Sequence, residues 1–268
     1  MRSRVIDLIG TLALLIVAVP ASARPTPDDY RAVGVRLSVP AQLPMQAVVT
    51  DESGARRALH DIISRPTILI FSDFTCRTLC GPVVAFVAEA LRQSGLKSEG
   101  QFELLVVGLD PKDDAEAAAR QRRDHLGDDA ALNAAAHFVT ADAGTIGSLT
   151  DALGYRYRYD AADDQYLHPA AAYVLRGDGA VSRVLTGIGL SGGDLRLALV
   201  EAGDGRIGTT ADRVRLLCSH FDPAQGTYNV AVSRLMAGTG GATVVILALL
   251  IGGLILVGRR QPLRRPPG

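Results

Sequence analysis

Apolar and polar positions along this chain fall into blocks that read alternately as strands and helices. Thr67-Ile68-Leu69-Ile70-Phe71 and Phe102-Glu103-Leu104-Leu105-Val106-Val107-Gly108-Leu109 are nearly unbroken apolar runs, the pattern of strands covered on both faces. Between them, Val83 to Leu91 carries apolar residues at helical spacing, and Gly95 marks its end. Asp110-Pro111-Lys112-Asp113-Asp114 turns the chain and caps a predicted helix, Ala115 to His125. His137 to Thr140 predicts a short strand and Ala143 to Leu153 a further helix. Ala171 to Leu175 and Val181 to Leu185, joined by Gly177-Asp178-Gly179, predict a hairpin, and Leu195 to Glu201 a closing helix. Upstream, Gln46 to Thr50 and Asp51-Glu52-Ser53-Gly54 suggest a strand and its turn. This order predicts an α/β sheet with helices on both faces.

The first core strand runs directly into Cys76-Arg77-Thr78-Leu79-Cys80, and a helical pattern follows Gly81-Pro82. A strand feeding a helix through a cysteine pair is the layout of a thioredoxin-like site, and a terminal antiparallel hairpin is what that fold adds. The fold class expected is therefore thioredoxin-like: a central mixed sheet flanked by helices. Cysteines at i and i+4 share one helix face, so both sulfurs can reach one metal ion or each other. His168, just before the predicted strand at Ala171, lies in the loop that such a sheet returns beside the cysteine helix. Two thiolates and an imidazole suit Cu(I) in a three-coordinate site. Taken alone, His168 reads better as a surface loop histidine than as a ligand, and Pro169 reads as the loop proline of the fold.

Both ends of the chain carry membrane signals. Arg2 and Arg4, the apolar run Val5 to Val19 and the cleavage-like Pro20-Ala21-Ser22-Ala23 mark residues 1–23 as a signal peptide. Residues 24–40, rich in Pro, Asp and Arg, read as a tether to a domain at 41–205, with a juxtamembrane segment at 206–238. Residues 239–258 read as a transmembrane helix, since Gly240 to Val257 is free of charge. Arg259, Arg260, Arg264 and Arg265 in the tail 259–268 assign that end to the cytoplasmic side and the main domain to a periplasm-like, extracytoplasmic space.

Composition narrows the chemistry. Lys plus Arg equals Asp plus Glu, 28 each, and no basic stripe interleaved with aromatics appears, so no nucleic-acid partner is expected. Three cysteines are too few for a disulfide scaffold. No P-loop, dinucleotide fingerprint or Ser-His-Asp arrangement stands out. Asp73 reads as a cap for the helix after the cysteines. His60, His125 and His137 read as structural.

Phe71-Ser72-Asp73-Phe74-Thr75-Cys76-Arg77-Thr78-Leu79-Cys80 resembles the cysteine motif of the Sco/SenC copper proteins. Gly108-Leu109-Asp110-Pro111-Lys112-Asp113-Asp114 resembles that family's Asp-Pro segment, and Tyr166-Leu167-His168 with Arg176-Gly177-Asp178-Gly179 its metal-histidine region, in family order over residues 40–202. The resemblance implies a membrane-anchored copper chaperone that binds copper through Cys76, Cys80 and His168. It also implies a copper donor protein or an oxidase subunit as partner, and assembly of a respiratory oxidase copper centre. Cys218-Ser219-His220-Phe221-Asp222-Pro223 resembles the tail of C-terminally anchored relatives; its thiol and imidazole, Cys218 and His220, two residues apart, are candidates for a second copper docking point, and the segment reads equally as a structural one packing on the membrane surface. The chain departs from the family at Arg77, Gly81, Leu167 and Pro169, and its clear anchor is C-terminal. The competing reading is a membrane-tethered thiol–disulfide oxidoreductase, with Cys76 attacking and Cys80 resolving.

Overall fold

The structure is a computed structural model that describes residues 31–36, 40–76, 82–187, 190–204, 206–223, 226–230, 240–241 and 243–252. The signal segment, Cys80 and the basic tail lie outside the described residues, as do parts of the tether and of the proposed span.

In chain order the strands are β1 (Gly34–Val35), β2 (Val48–Asp51), β3 (Arg56–Ala58), β4 (Thr67–Ser72), β5 (Glu103–Gly108) and β6 (Ala136–Thr140). There follow β7 (Tyr155–Arg156), β8 (Arg158–Asp160), β9 (Gln165–Leu167), β10 (Ala171–Leu175), β11 (Val181–Thr186), β12 (Ser219–Asp222) and β13 (Thr227–Val230). The helices are α1 (Leu59–Ile62), α2 (Pro82–Ser94), α3 (Ser98–Gln101), α4 (Ala115–Leu126), α5 (Ala130–Ala135), α6 (Ala143–Ala152), α7 (Gly192–Ala202) and α8 (Thr210–Cys218).

Seven strands form one mixed sheet in the order β11-β10-β4-β5-β6-β2-β3. β4, β5 and β6 are parallel, linked through α2 and through α4 and α5, while β10 and β11 run antiparallel beside β4. This is the thioredoxin-like arrangement expected from the pattern. Every residue of β4, β5 and β10 is buried, because helices cover both faces. The pleat sorts their side chains. Ile68, Ile70, Leu104 and Val106 pack with Val84, Val87 and Ala88 of α2 and Leu195, Ala198 and Leu199 of α7. Leu69, Phe71, Leu105 and Val107 face the opposite way, onto Ile146 and Leu149 of α6 and onto Tyr155 and Tyr173.

Asp114 caps α4 as expected, and Asp129, Asp142, Ser191 and Thr209 likewise each accept from a backbone N–H one turn in. The Ser191 cap extends α7 back to Gly192 from the expected Leu195. Past α7 the chain continues as α8 and the antiparallel β12–β13 pair. Both dock on α7: Arg196 holds Asp212 through two hydrogen bonds of 2.7 and 2.8 Å, and Asp194 accepts from the Tyr228 N–H at 2.8 Å. Residues 243–252 are helical, with Val244, Leu247 and Leu250 among their exposed apolar side chains. Among the described residues no helix is long and apolar enough to cross a membrane.

Leu105→Ala, at a fully buried position in the central strand, is expected to cost about 2–5 kcal/mol in urea unfolding. Val48→Ala, on a 38% exposed residue, is expected to stay within about 0.5 kcal/mol of the parent.

Candidate metal and thiol site

Where β4 ends, the chain bends through Asp73 to Cys76. Asp73 is fully buried. Its Oδ1 accepts from the Thr75 N–H at 3.0 Å, the Thr75 hydroxyl at 3.2 Å and the Cys76 N–H at 3.0 Å. Its Oδ2 accepts from the Tyr166 N–H at 2.8 Å, 93 positions further along the chain. Burying a carboxylate is costly unless donors replace water, and backbone N–H groups do so here. The expected capping role thus takes the form of a fastening: one side chain folds the cysteine turn and ties it to β9.

The next peptide is held as well. Asp113 Oδ2 accepts from the Phe74 N–H at 3.2 Å, and the Gln121 amide donates to the Phe74 carbonyl at 3.2 Å. Burial pushes the Asp113 carboxyl up to about 7; the Phe74 N–H opposes this and the charges of Asp73 and Asp110 add to it. Asp113 Oδ1 and Gln121 Oε1 are both buried without a hydrogen-bond partner.

The β8–β9 hairpin brings the second half of the site. It is latched from outside by Lys112, whose Nζ lies 2.6 Å from Asp164 and 3.4 Å from Asp110. The Tyr159 hydroxyl donates to Asp164, and Tyr166 packs between Tyr157 and Tyr159 with ring centres 5.6 and 5.1 Å away. Gln165 Oε1 sits 3.4 Å from Cys76 Sγ. Cys76 is disulfide-bonded, so its sulfur has no proton to donate and this is a contact; the reduced thiol could donate across it.

Three residues beyond Gln165 comes His168. Its Nδ1 lies 3.1 Å from Tyr155 Oη, and Tyr155 donates its own proton to the Pro169 carbonyl at 3.0 Å. That carbonyl, 3.3 Å from Nδ1, can only accept. Both neighbours therefore present lone pairs to Nδ1, which assigns the ring proton there and leaves Nε2 with a bare lone pair. Nε2 is buried and has no hydrogen-bond partner. Burial lowers the His168 pKa, with the Pro169 carbonyl and the Asp73 charge opposing, so the ring is favoured in its neutral form. Tyr155 is anchored against Phe71 and Tyr173, with ring centres 4.6 and 6.2 Å away, and burial holds its phenol well above the ordinary value.

A neutral imidazole nitrogen with a free lone pair, close in sequence to a residue touching a cysteine sulfur, is a donor set suited to a soft metal ion. Of the residues predicted for the site, Cys76 and His168 are joined to one scaffold through Asp73, Tyr166 and Gln165, whereas Cys80 lies outside the described residues. Cys218 is a free, half-buried thiol closing α8, and His220 lies exposed in β12 opposite Asn229. No group of three or more His, Cys, Asp or Glu side chains placed to hold a metal occurs among the described residues. His137 lies 3.1 Å from Glu103, and His60 lies 3.3 Å from Asp61. Tyr155 and Gln165 were not singled out from the sequence. The alternation Tyr155-Arg156-Tyr157-Arg158-Tyr159 is a signal for the strand of Tyr155 and for β8, while Gln165 in β9 has none of that kind.

No protein-family model matches the chain, and no curated protein does. Solved structures do match. A candidate electron transfer protein from Aquifex aeolicus shares 20% identity at a TM-score of 0.52, over 62% of this chain and 98% of its own. A candidate electron transport protein from the same organism shares 20% identity at 0.50, over 63% and 99%. Arabidopsis thaliana ScoI, solved with copper bound, shares 13% identity at 0.49, over 62% and 98%. The two Aquifex matches show a shared α/β fold, and this chain spans nearly the whole length of those chains.

The two perturbed groups act on stability in opposite senses. Asp113 titrates near 7 when folded and near 3.8 when unfolded, so its contribution to stability falls as pH rises through that window. His168 titrates below 6.5 when folded, so its contribution is present above that value and lost as pH falls. Asp113→Asn keeps an acceptor for Phe74 and is expected to remove the first slope, leaving stability that rises with pH. Urea midpoints across the window check this; an unchanged pH profile would contradict it.

Proposed function

We propose that this chain is a membrane-anchored, extracytoplasmic copper-binding chaperone. Its cargo is Cu(I), held by Cys76, Cys80 and His168 and passed to a copper centre of respiratory cytochrome c oxidase. The observation that carries this reading is His168 Nε2: buried, bare of its proton and without a partner. A buried nitrogen with an unused lone pair is costly unless something occupies it, and a soft cation does so without bringing a proton. The motif resemblance supplies the second thiol and the client.

In this account the disulfide-bonded state of Cys76 is the unloaded form. A dithiol reductant supplies two electrons and two protons, giving two thiols and a disulfide on the reductant. Loading with Cu(I) releases both thiol protons to solvent, and the soft ligands of an acceptor then displace the three donors one at a time. His168 enters as a neutral ligand, and Tyr155 and Pro169 fix the tautomer that aims its lone pair at the ion. Anchoring through residues 239–258 is supported by the exposed apolar side chains of helical residues 243–252, which water solvates poorly.

A second reading is a membrane-tethered thiol–disulfide oxidoreductase, favoured by the disulfide at Cys76. There Cys76 attacks a substrate disulfide and Cys80 resolves the mixed species. His168 needs no metal in that role.

Titration of the reduced chain against a competing Cu(I) chelator is expected to give one copper per chain, and the oxidised chain none at this site. Tyr155→Phe is expected to weaken binding about 10–100-fold by freeing the ring. His168→Ala is expected to weaken it further. Equal affinity in His168→Ala, together with turnover of a model disulfide that ignores copper, would favour the oxidoreductase.

A further inference from the structure

We propose that the exposed face of α8 rests on the surface of an anionic lipid bilayer. Val214 and Leu217 form its apolar part, and Arg213 and Arg215 flank them. The inference depends on the membrane-anchored reading above.

Val214 and Leu217 are 54% and 72% exposed, the two most exposed large apolar residues described outside residues 244–251. Three positions apart on a helix, they share one face. The helix that carries them is not a frayed end. Thr209 and Asp212 close a capping box at its start, and the buried Asp212 carboxylate is gripped by Arg196 of α7. That grip lowers the Asp212 pKa strongly, so its charge is neutralised inside the domain. The exposed charges on α8 are Arg213 and Arg215, both cationic.

Scattered apolar residues on a surface need no explanation. These two are set apart by where the chain leaves the domain. β12 and β13 are antiparallel, with Ser219 opposite Val230. Ser219 directly follows the last residue of α8, so the chain turns back and exits beside the end of that helix. The hairpin is fixed there by Tyr228, whose N–H donates to Asp194 and whose hydroxyl donates to Glu201, and by Phe221 beneath Arg183. From Val230, ten residue steps reach Gly240 and the apolar segment, a span of at most about 35 Å. The end of α8 is thus held within a short tether of the bilayer. An apolar pair beside an exposed arginine fits the boundary between headgroups and acyl chains: Val214 and Leu217 meet the acyl region, and the Arg215 guanidinium meets lipid phosphate.

The test uses the full chain in vesicles of phosphatidylcholine and phosphatidylglycerol. With the Cys76 disulfide left oxidised, Cys218 is the free thiol, one turn beyond Val214, and takes a polarity-sensitive fluorophore. Flotation of the vesicles reports anchoring separately from the contact. The expected result is co-flotation with blue-shifted emission that lipid-borne spin labels quench. In V214D/L217D, which alters only exposed side chains, the chain still floats but emission shifts to that of a water-exposed probe and quenching falls several-fold. Co-flotation with a water-exposed, unquenched wild-type probe would overturn this contact and leave the anchor standing. So would energy transfer between differently labelled copies without lipid quenching, which would assign the face to a second chain. Failure to float would overturn the anchor and the contact together.

Discussion

The buried carboxylate of Asp73 is the constraint on which the site depends. It accepts hydrogen bonds from the Thr75 and Cys76 N–H groups on one oxygen and from the Tyr166 N–H on the other. A lone buried carboxylate is unfavourable, so the fold is stable only with the cysteine turn and β9 both in place around it. Two segments separated by most of the domain are thereby locked at the end of β4. The Phe74 peptide, held by Asp113 and Gln121, forms the floor under that junction, and Lys112 with Asp164 closes it on the solvent side. The outer ion pair is exposed and contributes little to stability alone. Its value is in keeping the hairpin against the turn.

The same logic extends from position to chemistry. Phe71 lies in the strand that leads to the cysteines, and its ring packs on Tyr155. Tyr155 in turn determines which nitrogen of His168 carries the proton. Core packing and the electronic state of a prospective ligand are thus linked through one phenol. A thioredoxin-like scaffold supports thiol exchange or metal binding equally well, and the fold alone does not choose between them. The buried His168 Nε2, which has no hydrogen-bond partner, is a feature that metal binding would use and thiol exchange would not.

Much of this was legible in the chain. The unbroken apolar runs at β4 and β5, the Asp-Gly turn before β11 and the acidic caps follow directly from periodicity and turn chemistry. The cysteine motif and the loop histidine were legible as types, but their supports were not. Asp73 reads locally as a cap, and nothing in its neighbours announces a bond to Tyr166, because that bond forms only across the assembled sheet. The β8–β9 hairpin was missed although Tyr155 to Tyr159 alternates strictly, since its intervening arginines mimic a solvated loop. The alternation crosses two short strands, β7 and β8, and its tyrosines run from the buried Tyr155 to the exposed Tyr159. α8 and its hairpin carry weak local signals as well. Their order comes from Arg196, Asp194 and Glu201 on α7, none of which is near them in sequence.

The most direct measurement of the central claim is X-ray absorption at the copper edge of the reduced, Cu(I)-loaded chain. The account predicts two sulfur neighbours and one nitrogen neighbour, with the nitrogen signal absent in His168→Ala. A first shell of sulfur alone in the parent chain, unchanged by that substitution, would contradict it.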